Sequence, residues 1–191
     1  MAHFTIIGTG NMAKAIGGLL AEGGSGVSYV AHDDVGGSPL EGDVVVFAVP
    51  HPALDGILAA YGDQLAGKTI VDITNPLNFE TFDSLVVPDG SSQAAELQAK
   101  LPESRVLKAF NTNFAATLSS KQVGGRPTTV LIAGDNADAK HVLAGAIEAG
   151  GVRALDAGAL SRAHELEAIG FLQVTLAAAE KVAWTGGFAI V

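Results

Sequence analysis

With 191 residues, 48% of them hydrophobic and only 16% charged, the chain can bury one layered core, and disorder is excluded. The absence of cysteine removes disulfides, thiolate metal sites and a cysteine nucleophile, and the net charge of -9 opposes any sequence-independent hold on nucleic acid. An anionic ligand must therefore be held by backbone donors and a few well-placed cations.

The chain opens with Phe4-Thr5-Ile6-Ile7, a short β-rich run, and passes through a glycine-rich turn into the helix-periodic residues 15–20. A second strand is expected at about 27–31. It is followed by Asp33-Asp34-Val35-Gly36-Gly37-Ser38-Pro39, which has turn chemistry and no helical period. The crossover helix usual at this point is missing. Next come a buried-type strand at 43–49, a helix over about 52–65, a strand at 69–73 and a helix around 92–101. Strands at 105–110, 128–133 and 152–155 follow, with a helix over 137–149 and a last long helix within 160–184. This alternation predicts an α/β fold, a doubly wound and mostly parallel sheet in a single domain spanning 1–191, ending in a helix and an apolar tail from about 160. If the second and third strands flank the first, the eleven residues 32–42 must run back along the sheet and across one strand. An extended linker of that length reaches roughly 36 Å, which suffices for a strand of about 17 Å plus two strand spacings of about 4.8 Å.

Apolar runs such as 44–49 fall far short of the roughly 20 residues of a membrane span, and Met1-Ala2-His3-Phe4 lacks the basic lead-in of a signal peptide. A cytoplasmic protein without membrane or nucleic-acid partners is expected.

Gly8-Thr9-Gly10-Asn11-Met12-Ala13 sits where an N-terminal strand opens into a helix. In a dinucleotide-binding turn the first glycine permits the bend, the second lets backbone approach a pyrophosphate, and a small third residue brings helix and strand together. The helix N-terminus then offers unpaired N–H donors to the phosphates. In an open parallel sheet the ligand lies beyond the carboxyl ends of the strands. Those ends carry Ala48-Val49-Pro50-His51, Thr74-Asn75-Pro76-Leu77 and Phe110-Asn111-Thr112-Asn113, whose amides and hydroxyls suit a ring carboxamide and ribose hydroxyls. Tyr29 and Tyr61 lack a lysine four residues on, the five histidines are scattered, and no Gly-x-Ser-x-Gly elbow occurs. Metal catalysis and serine hydrolysis are not expected. Oxidoreduction between two bound rings fits better, because it needs orientation more than a protein acid or base.

Several blocks in order, Ile7-Gly8-Thr9-Gly10-Asn11-Met12, Phe47-Ala48-Val49-Pro50-His51-Pro52, Asp72-Ile73-Thr74-Asn75-Pro76-Leu77, Lys108-Ala109-Phe110-Asn111-Thr112, Ala133-Gly134-Asp135-Asn136 and the closing Trp184-Thr185-Gly186-Gly187-Phe188, resemble the short NADPH-dependent reductases of the deazaflavin coenzyme F-420. The resemblance implies a Rossmann-like domain and hydride transfer between NADP or NAD and a second ring, deazaflavin or flavin-like. It implies that Gly8, Thr9, Gly10, Asn11 and Met12 hold the pyrophosphate. Ala48, Val49, Pro50 and His51 would line the path from adenosine to nicotinamide, Thr74, Asn75 and Pro76 would lie near the ring, and Asn111 and Thr112 would face the second substrate. Where the family usually carries Ser followed by Arg or Lys for a 2′-phosphate, this chain has His32 and Asp33, and a carboxylate there suits the free ribose hydroxyls of NAD. The stretch Gly10-Asn11-Met12-Ala13-Lys14 is also similar to pyrroline-5-carboxylate reductases, whose additional helical dimerisation domain a chain of 191 residues does not accommodate. A dinucleotide-binding sensor without turnover is the alternative outside the enzymes.

Lys108 is expected at a strand end, either facing an acidic ligand or solvated, and Trp184 is expected to pack. Glu165 and Glu167, two apart on a helix, point different ways. The apolar ending Phe188-Ala189-Ile190-Val191 predicts a cover, either the chain's own sheet or a homodimer partner.

Overall fold

The hydrophobic alternation of the first strand decides the architecture. In β1 (His3–Ile7), Phe4 and Ile6 face one layer and Ile7 the other, and none of the three has any exposed surface. A strand buried on both sides must carry helices on both sides. The computed structural model, which describes residues 2–191, shows that arrangement.

The elements that follow are α1 (Asn11–Glu22), β2 (Gly26–Val30), β3 (Val44–Phe47), α2 (Leu54–Tyr61), β4 (Thr69–Asp72), α3 (Gln93–Lys100) and β5 (Arg105–Ala109). Then come α4 (Ala115–Ser120), the two-residue strands β6 (Gln122–Val123) and β7 (Arg126–Pro127), β8 (Thr129–Gly134), α5 (Ala137–Ala149), β9 (Arg153–Gly158) and α6 (Ala163–Ala178). Among the described residues seven strands form one sheet in the order β2-β1-β3-β4-β5-β8-β9. All neighbours are parallel except β5 and β8. The fold is therefore a Rossmann-like, mostly parallel α/β sheet. Its connections leave β1 in opposite directions, to β2 on one side and β3 on the other, which places the switch point at the end of β1.

The link from β2 to β3 contains only a 3-10 turn, His32–Asp34, so the crossover helix is indeed missing. Leu40 takes part of its place: it is buried among Val45, Phe47 and Ile70. The link is then pinned, with Gly42 N donating to Thr5 Oγ1 at 3.0 Å and Lys68 Nζ donating to Gly42 O at 2.7 Å.

Three local expectations are corrected. The helix expected over 52–65 is α-helical only from Leu54 to Tyr61, with 3-10 turns on either side, because Pro52 enters it and Gly62 leaves it at φ +41°. The short α4 and the β6–β7 hairpin, turned by Gly124 and Gly125 at φ +55° and +78°, fill a stretch with no predicted element. They also bring the chain back so that β8 runs against β5.

Candidate functional site

The turn after β1 is built by its glycines. Gly8 sits at φ +122°, and a Cβ there would collide with the carbonyl of Ala48 at the end of β3, so only glycine lets the two strand ends approach. Gly10 is extended and caps α1 with no side-chain hydrogen bond, no atom lies within 4 Å of where its Cβ would be, and the first turn of α1 carries no acidic residue. The N–H groups of that turn face open space, with the positive end of the helix dipole behind them.

Two clefts flank this turn. The first, of ≈ 580 Å³, is lined by Gly8, Thr9, Gly10, His32, Ala48, Val49 and Pro50 and floored by α2 through Gly56 and Ile57. Its lining contains no lysine, arginine or carboxylate, and His32 is its one titratable side chain. Asp33 is exposed in the same 3-10 turn but does not line the cleft. Nor does His51, whose Nε2 lies 2.7 Å from Gln93 Oε1 at the start of α3. The second cleft, of ≈ 440 Å³, lies against the next residues of the same turn: Asn11 and Met12 form one wall, and Asn75, Asn111, Phe114, Val174 and Trp184 form the others.

The strand-end amides are locked together. Asn75 Nδ2 donates to Asn111 O at 2.9 Å, while Asn111 Nδ2 donates to Asn75 Oδ1 at 2.9 Å and to Leu166 O at 2.8 Å. Asn111 Oδ1 and Thr74 Oγ1 are buried without a partner. Gly170 of α6 makes this possible, because a Cβ there would strike Asn75 Oδ1 and come within 2.9 Å of Asn111 Nδ2. Thr74, Pro76 and Thr112 line neither cleft. Thr112 is buried, and its carbonyl accepts from Gln173 Nε2 at 3.1 Å.

Lys108 is neither solvated nor turned to a cleft, which corrects both expectations. It is fully buried in β5, with Nζ 2.7 Å from Asp72 Oδ2, 2.6 Å from Thr74 O and 2.8 Å from Glu167 Oε1. The cause is its place in a strand covered on both faces, where a charge survives only with buried partners. Glu165 and Glu167 do point different ways: Glu165 is exposed against Arg162, and Glu167 is buried. Burial pushes the Glu167 carboxyl above the usual carboxylate range, while Lys108 and the N–H of Gln93 pull it back. All its close partners are donors, which suits the ionised form. Trp184 packs its ring against Phe114, with centroids 4.9 Å apart, yet stays 54% exposed as a wall of the second cleft. Beyond it the tail folds back on its own chain, with Phe188 N donating to Gln173 Oε1 at 2.9 Å and Arg153 reaching Ile190 O at 3.3 Å.

Lys108, Glu167 and Gly170 escaped the sequence reading as a group. The signals were a lysine inside an apolar strand and a glycine inside a helical run, both of which point to a packing constraint. Among the described residues no three His, Asp or Glu side chains converge as a metal ion would need, and no helix is long and apolar enough to cross a membrane.

No family model matches the chain. It is 33% identical over 152 residues to the F420-dependent NADP reductase of Methanocaldococcus jannaschii, an alignment covering 76% of this chain and 67% of that protein. It is 38% identical over 112 residues to the metalloreductase STEAP3 of Rattus norvegicus, covering 59% of this chain but only 22% of the relative. Among solved structures, a protein of Arthrobacter sp. FB24 provisionally described as an F420-dependent NADP reductase superposes with a TM-score of 0.84 at 24% identity, covering 100% of both chains.

Proposed function

Because this chain belongs to the family of the F420-dependent NADP reductases, we propose that it is an oxidoreductase that passes a hydride between NADPH or NADH and a deazaflavin or flavin-like ring. The observation that carries this reading is that one turn lines both clefts, with Gly8, Thr9 and Gly10 on the first and Asn11 and Met12 on the second. In this account the chain is a single nucleotide-binding unit. The pyrophosphate sits on the first turn of α1, the adenosine lies along His32, Ala48, Val49 and Pro50, and the nicotinamide enters the second cleft beside Asn75. The second ring then lies between the nicotinamide and the wall formed by Asn111, Phe114 and Trp184, with Thr74, Pro76, Thr112 and His51 supporting from behind.

The chemistry asks for little else. The bound nucleotide supplies the hydride and the second ring accepts it. The protein's part is to hold the reacting atoms roughly 3 to 3.5 Å apart and to exclude water. The apolar walls of Met12, Phe114 and Val174 serve that exclusion. The test is a turnover screen of NADPH and NADH against deazaflavin, flavins, quinones and ferric chelates, the last suggested by the partial likeness to a metalloreductase. Oxidation of NADPH by deazaflavin or flavin is the expected result, and tight nucleotide binding with no acceptor reduced would favour a sensor instead.

A cytoplasmic homodimer completes the proposal. Helix α6 buries Glu167 and Gln173 inward and leaves Ile169 and Leu172 38% and 51% exposed, an inversion that a second copy of the same face would relieve.

A further inference from the structure

Three ionisable side chains lie with no exposure where the sheet could have been filled by aliphatic ones. Asp72 comes from the end of β4, Lys108 from β5 and Glu167 from α6. Such a cluster is a poor way to gain stability, since desolvation consumes most of the Coulombic gain. Each of its members nevertheless has close polar partners. Lys108 donates to Asp72 and to the carbonyl of Thr74, and its Nζ is ion-paired with Glu167 Oε1 at 2.8 Å. Asp72 Oδ1 accepts the N–H of Thr74 at 2.9 Å, so Thr74 is held at both its backbone N–H and its carbonyl. Glu167 accepts the N–H groups of Gln93 at 2.9 Å and Ala94 at 3.3 Å, which caps α3, and Gln93 in turn holds the ring of His51. The one excess negative charge thus meets the positive end of a helix.

We propose that Lys108 is a positioning residue: by clamping Thr74 to Asp72 and Glu167 it sets the β4 end, with Asn75, against α6, and so fixes the separation of Asn75, beside which the nicotinamide lies, from Val174 across the second cleft. This rests on the reading of the two clefts given above. Asn75 follows Thr74 directly, Gly170 and Val174 follow Glu167 on the same helix, and both Asn75 and Val174 line the second cleft. The pyrophosphate turn makes no contact with the cluster in this network, so nucleotide affinity and ring placement are separable.

The experiment uses the full chain with Lys108→Met, and with Glu167→Gln as a variant that keeps the shape but sets an amide N–H against Lys108 without leaving two unpaired carboxylates. Three readouts are taken: amide exchange in the free protein, affinity and nicotinamide emission on NADPH titration, and single-turnover hydride transfer to deazaflavin. The expected result is faster exchange at Thr74 and Asn75, an NADPH Kd within about threefold of the parent, altered emission of the bound ring, and transfer slowed about tenfold or more in Lys108→Met and less in Glu167→Gln. Unchanged exchange and transfer in either folded variant would overturn the proposal, as would a loss of affinity that accounts for the whole loss of rate. If the parent protein reduces no ring acceptor, the functional reading falls, while exchange and nicotinamide emission still decide the role of Lys108.

Discussion

Gly8 and Gly10 have different jobs although both belong to one motif. Gly8 is required by the fold, since its φ of +122° and the Ala48 carbonyl leave no room for a side chain. Gly10 has ordinary backbone angles and open space around it, so the fold tolerates a side chain there, whereas a pyrophosphate placed on the first turn of α1, as proposed, would not. Gly10→Val is therefore expected to keep its melting temperature and lose nucleotide binding, whereas His51→Ala, which only frees Gln93, keeps most turnover. Measuring both properties in both variants checks this, and a complete loss of turnover in His51→Ala with binding intact would instead mark a general acid. Cofactor choice is also a residue-scale matter. No cation lines the first cleft, so discrimination between NADPH and NADH is expected to stay below about a hundredfold, or ~2.7 kcal/mol. Asp33→Arg should move the preference toward NADPH by about 1 to 3 kcal/mol if the new side chain reaches the 2′-phosphate. Titrations with both nucleotides read this directly.

At the scale of elements, Glu167 joins α6 to α3 and β5, and its titration reports on that junction. Its folded-state pKa lies above the usual carboxylate range, chiefly through burial, so the folded protein binds this proton more tightly than the unfolded chain. Its contribution to stability is then fully present below the ordinary carboxylate pKa and is lost as pH rises through the raised value. Denaturant unfolding of the parent and of Glu167→Gln should show the parent losing stability relative to the variant as pH climbs through that window. A parent that gains stability relative to the variant as pH rises would give the shift the opposite sign. Gly170→Ala should destabilise by about 1 to 3 kcal/mol, because the added methyl meets the Asn75–Asn111 pair.

These same elements show what the sequence could disclose. The strand, turn and helix from 3 to 22 and the helix α5, capped by Asn136 accepting from Ala139 N at 2.8 Å, follow from local signals and were legible. So was the missing crossover helix, because residues 33–39 lack any helical period. Helix α4 was not, being six residues long with no side-chain cap at Phe114. The Gly124-Gly125 pair is itself a hairpin signal, and it turns β6 into β7. The burial of Lys108 could not be read locally, since its carboxylate partners lie 36 and 59 residues away in sequence on other elements. Sequence analysis placed Asn75 and Asn111 at the strand ends, but only the fold shows that each bonds the other.

For the whole molecule, the outer face of α6 and the tail decide the assembly. The tail is tied to its own chain through Gln173 and Arg153, yet Leu172, Trp184 and Phe188 remain 51%, 54% and 45% exposed. A dimer through α6 is expected to dissociate in Leu172→Glu, where a charge replaces an exposed apolar side chain without disturbing the core. Light scattering on both proteins checks this, and a monomeric parent would end the dimer proposal. The chain ending at Ala183 separates the tail's share of the interface from that of α6.

The central claim is direct passage of hydride between two rings held together in the second cleft. NADPH carrying deuterium at one or the other face of nicotinamide C4 tests it, with deazaflavin as acceptor because its reactive centre is a carbon that does not exchange with water. The account predicts that one of the two labelled forms, and not the other, delivers its deuterium into the reduced deazaflavin. Deuterium lost to solvent, equal transfer from both faces, or NADPH bound without oxidation would contradict it.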